Sequence, residues 1–150
     1  MVKLFDNINE EVYRAYVFWS AVLVGKMLLM SILTGMQRFR KKAFVNPEDI
    51  ATNPKLKLKF DDPDVERVRR AHLNDLENIL PYFVIAFFYI LTGPDAWIAV
   101  NIFRAVAVAR IAHTLVYAVV VIPQPARAIA WMIPYAASLF MTVKTVLYFL

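Results

Sequence analysis

The chain has 150 residues, of which 60% are apolar or aromatic and 19% are charged, a balance typical of a membrane protein and unlike a soluble domain. It contains no cysteine, which excludes disulfides, iron–sulfur ligation and a thiol nucleophile supplied by the protein. The net charge of +5 comes mostly from basic residues beside apolar segments, where anionic lipid headgroups attract them, so the pattern argues against nucleic-acid binding.

Four apolar helices are predicted in chain order, at about residues 12–38, 63–92, 96–122 and 124–149. The first is long enough to cross a bilayer at about 1.5 Å per residue. The second begins at Asp62 and Pro63, an aspartate cap followed by a proline in the first turn. Only its residues 79–91 are continuously apolar, so its charged half is expected to be covered by protein. The sequence predicts an all-α, integral membrane four-helix bundle forming a single domain over residues 1–150.

The loop of residues 39–62 defines the orientation of this bundle. Ten lysines and arginines lie between Arg38 and Arg70, whereas the turn at residues 93–95 has one acidic residue and no basic one. Because basic loops stay on the cytosolic side, the loop is predicted to be cytosolic and both termini to lie across the membrane.

Polar residues recur at helical spacing inside the second and third spans, where each ionised group costs several kcal/mol unless it is paired or hydrated. On each of these two helices, the polar residues fall on one face. A single such pair is explained well enough as an ion pair that holds helices together. Taken together, the arginines outnumber the carboxylates, so an internal network leaves positive charge uncompensated, and an anionic ligand with one cationic group would balance it. The residues are Arg67, Arg70, Asn74 and Glu77 on the second helix and Arg110, His113 and Tyr117 on the third.

Arg127 lies in the first turn of the fourth helix, where the helix dipole is already positive. It either extends to the lipid headgroups or, together with the helix end, holds an anion. Lys26 lies within the first span and is expected to pair with an acidic residue of the bundle, and Arg104 to serve packing or a neighbouring subunit. With only two histidines, His72 and His113, a zinc site is not expected.

Four stretches of the sequence, taken in order, resemble the family of membrane-associated proteins in eicosanoid and glutathione metabolism. They read FVNPED at 44–49, VERVRRAHLNDLEN at 65–78, ARIAHT at 109–114 and PQPAR at 123–127. The likeness extends over nearly the whole chain and is strongest to the microsomal glutathione S-transferase 1 branch, with an insect member as the expected type.

The resemblance implies a homotrimer in the endoplasmic reticulum membrane, with the mitochondrial outer membrane as a second location. Glutathione, the co-substrate, would bind between subunits near the cytosolic side, and Arg127 would face its sulfur. No metal is implied, and the second substrates would be hydrophobic electrophiles or lipid hydroperoxides reached through membrane lipid. The residues expected to contact glutathione are Arg38, Arg70, His72, Asn74, Glu77, Arg110, His113 and Tyr117.

Three other functions stay open at this point. Leu73 and Ala128 replace an arginine and a serine of prostaglandin-synthesising members, and Ile50 replaces a cysteine of mammalian transferases, so the resemblance favours a transferase that thiol modification does not activate. A prostaglandin or leukotriene synthase, a non-catalytic lipid-binding scaffold, and a channel lined by the polar residues are the alternatives.

Overall fold

A computed structural model describes residues 8–53 and 55–150. Over these residues four long helices form one bundle: α1 (Glu10–Lys41), α2 (Pro63–Ile90), α3 (Ala96–Thr114) and α4 (Ala126–Phe149). A short 3₁₀ helix, Pro47–Ile50, lies in the loop after α1, and a π-helical stretch, Leu115–Val119, continues α3. The predicted all-α membrane bundle is confirmed, and where each helix enters the bilayer stays a prediction.

Each of the first three helices begins at a side-chain cap. Asn9 accepts hydrogen bonds from the backbone N–H groups of Glu11 and Val12, at 2.8 and 3.3 Å. Asp62 does the same at the start of α2, where Pro63 takes the first position as the sequence predicts. Asp95 caps α3, after a turn in which Gly93 has a φ of 64°, a left-handed conformation that glycine adopts at no steric cost.

The helices differ in how well they suit lipid. Among the described residues, three helical segments are long and apolar enough to cross a membrane, namely α1, α4 and α3 with its π-helical continuation. α2 does not qualify, because its N-terminal half carries most of its charges. It packs against α1 on one side and α4 on the other. The expectation that protein covers the charged half of α2 is therefore met in part, because Arg69, Arg70 and Glu77 remain exposed.

The main core lies where α1, α2 and α3 meet, with α4 closing one side. Its fully buried side chains interlock across all four helices. A smaller apolar cluster lies toward the loop end of the bundle. The largest members of the main core are Leu23, Ile79, Tyr82, Tyr89, Ile90, Phe103 and Met141.

The loop between α1 and α2 is tied back onto the helices. The backbone N–H of Lys59 donates to the Phe44 carbonyl at 2.8 Å, and Lys41 pairs with Asp64 at 2.5 Å. The Lys59 ammonium donates to Asp62 at 2.7 Å and, with two backbone N–H groups, holds the pKa of that carboxyl below its usual value. These contacts fix the start of α2 relative to the end of α1.

Candidate functional site

A cavity of about 410 Å³ opens between α2, the end of α3 and the start of α4. Its size is within the range of small-molecule sites. Six of the nine residues predicted for the site line it, and the remaining lining residues are Leu73, Ala128 and Trp131. The six are Arg70, Asn74, Glu77, His113, Tyr117 and Arg127.

Helical spacing brings the polar residues of α2 into this cavity. Arg70, Asn74 and Glu77 are separated by four and three residues, so their side chains project from one face. The fourth member of the predicted set, Arg67, does not line the cavity. It donates to Asp64, one turn earlier, at 2.8 Å. Arg67 therefore belongs to the ion pairs at the start of α2.

Three charged side chains of the cavity have no ion-pair partner within the described part of the chain: Arg70, Glu77 and Arg127. The first two are exposed, and Arg127 is half-buried. Two positive charges and one negative charge thus face the same space. Such a set complements a ligand that carries two anionic groups and one cationic group.

The first turn of α4 positions Arg127 over an aromatic ring. The guanidinium carbon lies 4.4 Å from the centre of the Tyr117 ring, a cation–π contact. Tyr117 in turn packs edge-on against His113, with ring centres 5.6 Å apart. The N-cap, Pro125, gives α4 no side-chain cap, whereas Gln124 accepts from the N–H of Ala128 at 3.2 Å. Arginine and helix end therefore present positive charge together.

Arg110 lies behind the cavity and does not line it. Its side chain is 0% exposed and donates to Asp75 on α2, and its Nη2 also donates to the Asn74 side-chain oxygen at 3.0 Å. Lys26 of α1 donates to the second oxygen of the same carboxylate. The predicted pairing of Lys26 with an acid of the bundle is confirmed, and three helices meet at Asp75.

The other predicted residues take different places. Arg38, in the last turn of α1, and His72, on another face of α2, do not line this cavity. Arg104 is exposed on α3, and the bond from its Nη1 to Asn101 is 3.5 Å long. Asp75 and Trp131 are site residues that the sequence analysis did not name. Contact of any of the nine candidates with glutathione stays a prediction.

A second cavity of about 550 Å³ adjoins the first between α2 and α4. The two share Asn74, Glu77 and Trp131. The remaining lining residues are uncharged and include Pro81 and Tyr135, whose ring stacks on Trp131 with ring centres 4.8 Å apart. An opening with both a charged end and an aromatic end can hold a polar and an apolar group side by side.

Fold and cavity together define a helical membrane protein with a charge-lined ligand cavity at one end of the bundle. The model of the MAPEG family matches residues 16–147, and the chain belongs to that family. Microsomal glutathione S-transferase 1 of Homo sapiens is 42% identical, and that of Bos taurus 44%, over 149 residues covering 96% of this chain and 95% of each relative. Prostaglandin E synthase of Bos taurus is 41% identical over 112 residues, covering 75% of this chain and 73% of the relative.

Proposed function

We propose that this protein is a membrane-bound glutathione transferase, which joins the glutathione thiolate to hydrophobic electrophiles. The names of the relatives that match nearly the full length support this reaction. The observation that carries the proposal is the set of cavity charges that have no ion-pair partner among the described residues. Glutathione has two carboxylates and one ammonium, so Arg70 and Arg127 with Glu77 form its complement.

Arg127 has the catalytic part in this proposal. The pKa of a thiol, ordinarily ~8.5, must fall by about 1.5 units for the thiol to be half ionised at pH 7, which requires roughly 2 kcal/mol. One charge-assisted hydrogen bond in a partly dry site supplies that amount. The guanidinium, steadied over the Tyr117 ring at the first turn of α4, is suited to make it. Arg127 would therefore face the sulfur and stabilise the thiolate.

The thiolate then attacks a second substrate that arrives from the lipid. With an electrophile, a sulfur–carbon bond forms as the leaving group departs with its electron pair. With a lipid hydroperoxide, sulfur attacks the terminal oxygen, the O–O bond breaks, and the lipid alkoxide leaves with the electron pair and takes up a proton to become the alcohol. A second glutathione thiol then converts the resulting sulfenic acid to the disulfide and water. The uncharged lining beside Trp131, with Pro81, Pro134, Tyr135 and Leu139, suits substrates selected by their partition into lipid. The endoplasmic reticulum is the proposed membrane.

Residues missing from the cavity point to a site shared between copies of the chain. Arg38 and His72, both expected at glutathione, lie outside the cavity formed by one chain. α1 also exposes large apolar side chains on a face that no other helix of the described residues covers, among them Leu28, Leu29 and Phe39. We include in the proposal a homotrimer in which neighbouring subunits complete each site.

The test compares Arg127→Ala with wild type in purified, detergent-solubilised protein. Glutathione binding is measured by equilibrium dialysis, and turnover by conjugation to an activated chloroarene. Binding is expected to persist while turnover at pH 7 falls about 15-fold, the ratio between a half-ionised thiol and one with a pKa of ~8.5. The matched control is Arg104→Ala, which removes an exposed arginine away from the cavity. Equal turnover in wild type and Arg127→Ala would remove Arg127 from its role.

A glutathione-dependent prostaglandin synthase is the second candidate, because prostaglandin E synthases also match the chain. The two activities are separated by assaying one preparation with the chloroarene and with the eicosanoid endoperoxide. Faster turnover of the endoperoxide would favour the synthase. Absence of glutathione binding in detergent would reject both enzymes and support a lipid-binding scaffold.

A further inference from the structure

The side-chain orientation of Asn74, which lines the cavity, is determined from behind by a buried arginine. Arg110 Nη2 donates to the Asn74 side-chain oxygen at 3.0 Å. A guanidinium group can only donate hydrogen bonds, so the amide must turn its oxygen toward Arg110. The amide NH₂ is then left on the other side. Since Asn74 lines both cavities, this donor is available to whatever occupies them.

Arg110 is itself held by an anchor that does not depend on any ligand. Asp75 accepts from Arg110 through one oxygen and from Lys26 through the other, and Asp75 and Arg110 are both fully buried. The three side chains come from α1, α2 and α3, so the cluster is tied to the packing of the bundle. The position of the Arg110 guanidinium is thus defined before a ligand arrives.

We infer that Arg110 is a positioning residue for glutathione, acting through Asn74 and not by contact. This inference rests on the proposed function. Arg110 fixes the Asn74 amide so that its NH₂ faces the cavity, where it can donate to a carboxylate or carbonyl oxygen of the tripeptide. A fixed donor loses less freedom on binding than an amide that can flip, and it rejects ligands that offer a donor at that place.

The test is a double-mutant cycle on glutathione affinity with Arg110→Met, Asn74→Ala and the double variant. Arg110→Met leaves Lys26 to neutralise Asp75. We expect each single variant to raise the Kd about 5- to 10-fold, the worth of one ordinary hydrogen bond. Because both substitutions affect one hydrogen bond, the double variant should match Asn74→Ala within about twofold. A Kd that rises by the product of the two single effects would overturn the inference, as would an unchanged Kd in Arg110→Met.

Two further variants distinguish positioning from a merely structural role. Asn74→Asp keeps an oxygen for Arg110 but removes the donor, so it should bind glutathione at least as poorly as Asn74→Ala. Lys26→Met removes the other buried cation of the cluster without touching Asn74, and it should bind glutathione like wild type. Tight binding by Asn74→Asp would overturn the inference even if Arg110→Met does not fold.

Kinetics and wild-type binding complete the test. Since Arg127 is unchanged in all these variants, the KM for glutathione should rise while kcat at saturating glutathione stays within about twofold. A fall in kcat with KM unchanged would contradict positioning. Failure of wild type to bind glutathione would reject the proposed function itself, whereas wild-type binding with independent single effects would reject only the role of Arg110.

Discussion

The charge balance around Asp75 predicts how substitutions of the cluster change the free energy of unfolding. One buried carboxylate accepts hydrogen bonds from two buried cations, Lys26 and Arg110, so the cluster has a net charge of +1. Substituting Met for either cation leaves a neutral pair. Asp75→Asn instead leaves two positive charges facing each other without a counter-ion. The carboxylate should therefore matter more to folding than either cation.

The magnitudes follow from the cost of isolated buried charge. Removing one partner of a buried pair typically costs about 3–5 kcal/mol, and Asp75→Asn removes the partner of two cations at once. We expect a loss of at least that size. Lys26→Met loses one hydrogen bond, to Asp75, whereas Arg110→Met loses two, to Asp75 and Asn74. A hydrogen bond to a charged group is worth about 1.5–3 kcal/mol, but both variants also relieve the repulsion between the cations. Lys26→Met should therefore cost less than about 2 kcal/mol, and Arg110→Met more than Lys26→Met but less than Asp75→Asn.

Unfolding in mixed detergent, followed by circular dichroism, measures these free energies. A triple variant, Lys26→Met with Asp75→Leu and Arg110→Met, replaces the whole cluster by apolar side chains and should recover most of the stability lost in Asp75→Asn. Equal destabilisation by all three single substitutions would refute the charge argument. So would a triple variant no more stable than Asp75→Asn.

Three other predictions concern separate parts of the molecule. Tyr117→Leu removes the ring under Arg127 and should lower turnover about 3- to 30-fold, whereas Tyr117→Phe keeps the ring and should be clearly more active in the same conjugation assay. The ionised Asp62, whose pKa Lys59 lowers, adds stability above a pH of about 4 that is lost as the pH falls through the lowered value. Asp62→Asn, which retains a cap, should therefore lose less stability between pH 6 and pH 3 than wild type, and equal losses would contradict this. Gly25→Ala adds a methyl group to open space within α1 and should stabilise the chain by up to about 1 kcal/mol, while a weaker oligomer on cross-linking would mean that a second copy packs there.

The fold follows from sequence patterns because it rests on local chemistry. Caps at Asp62 and Asp95 and apolar runs long enough for a bilayer depend on neighbours in the chain. The π-helical end of α3 could not be predicted in this way. The sequence pattern places it within one continuous helix to residue 122, whereas the backbone changes at Leu115.

The site was predictable in part for a related reason. Spacing on one helix face groups Arg70, Asn74 and Glu77 correctly. Spacing does not show which arginine reaches a cavity and which is buried behind it, because that depends on packing between helices. Asp75 did leave a signal, since it falls among the buried residues Val68, Ala71, Ile79 and Tyr82 at intervals of three and four. A carboxylate in an apolar stripe requires a cation, and Lys26 was the cation without a known partner.

The uneven distribution of charge along α2 also affects how the chain inserts into its membrane. The other three helical segments carry enough apolar length to leave the insertion machinery for lipid by themselves, but α2 does not. Its buried carboxylate can enter hydrocarbon at low cost only when Lys26 and Arg110 are already beside it. We therefore expect α2 to wait near the translocon until α3 has been synthesised, so that the first three helices enter the bilayer together.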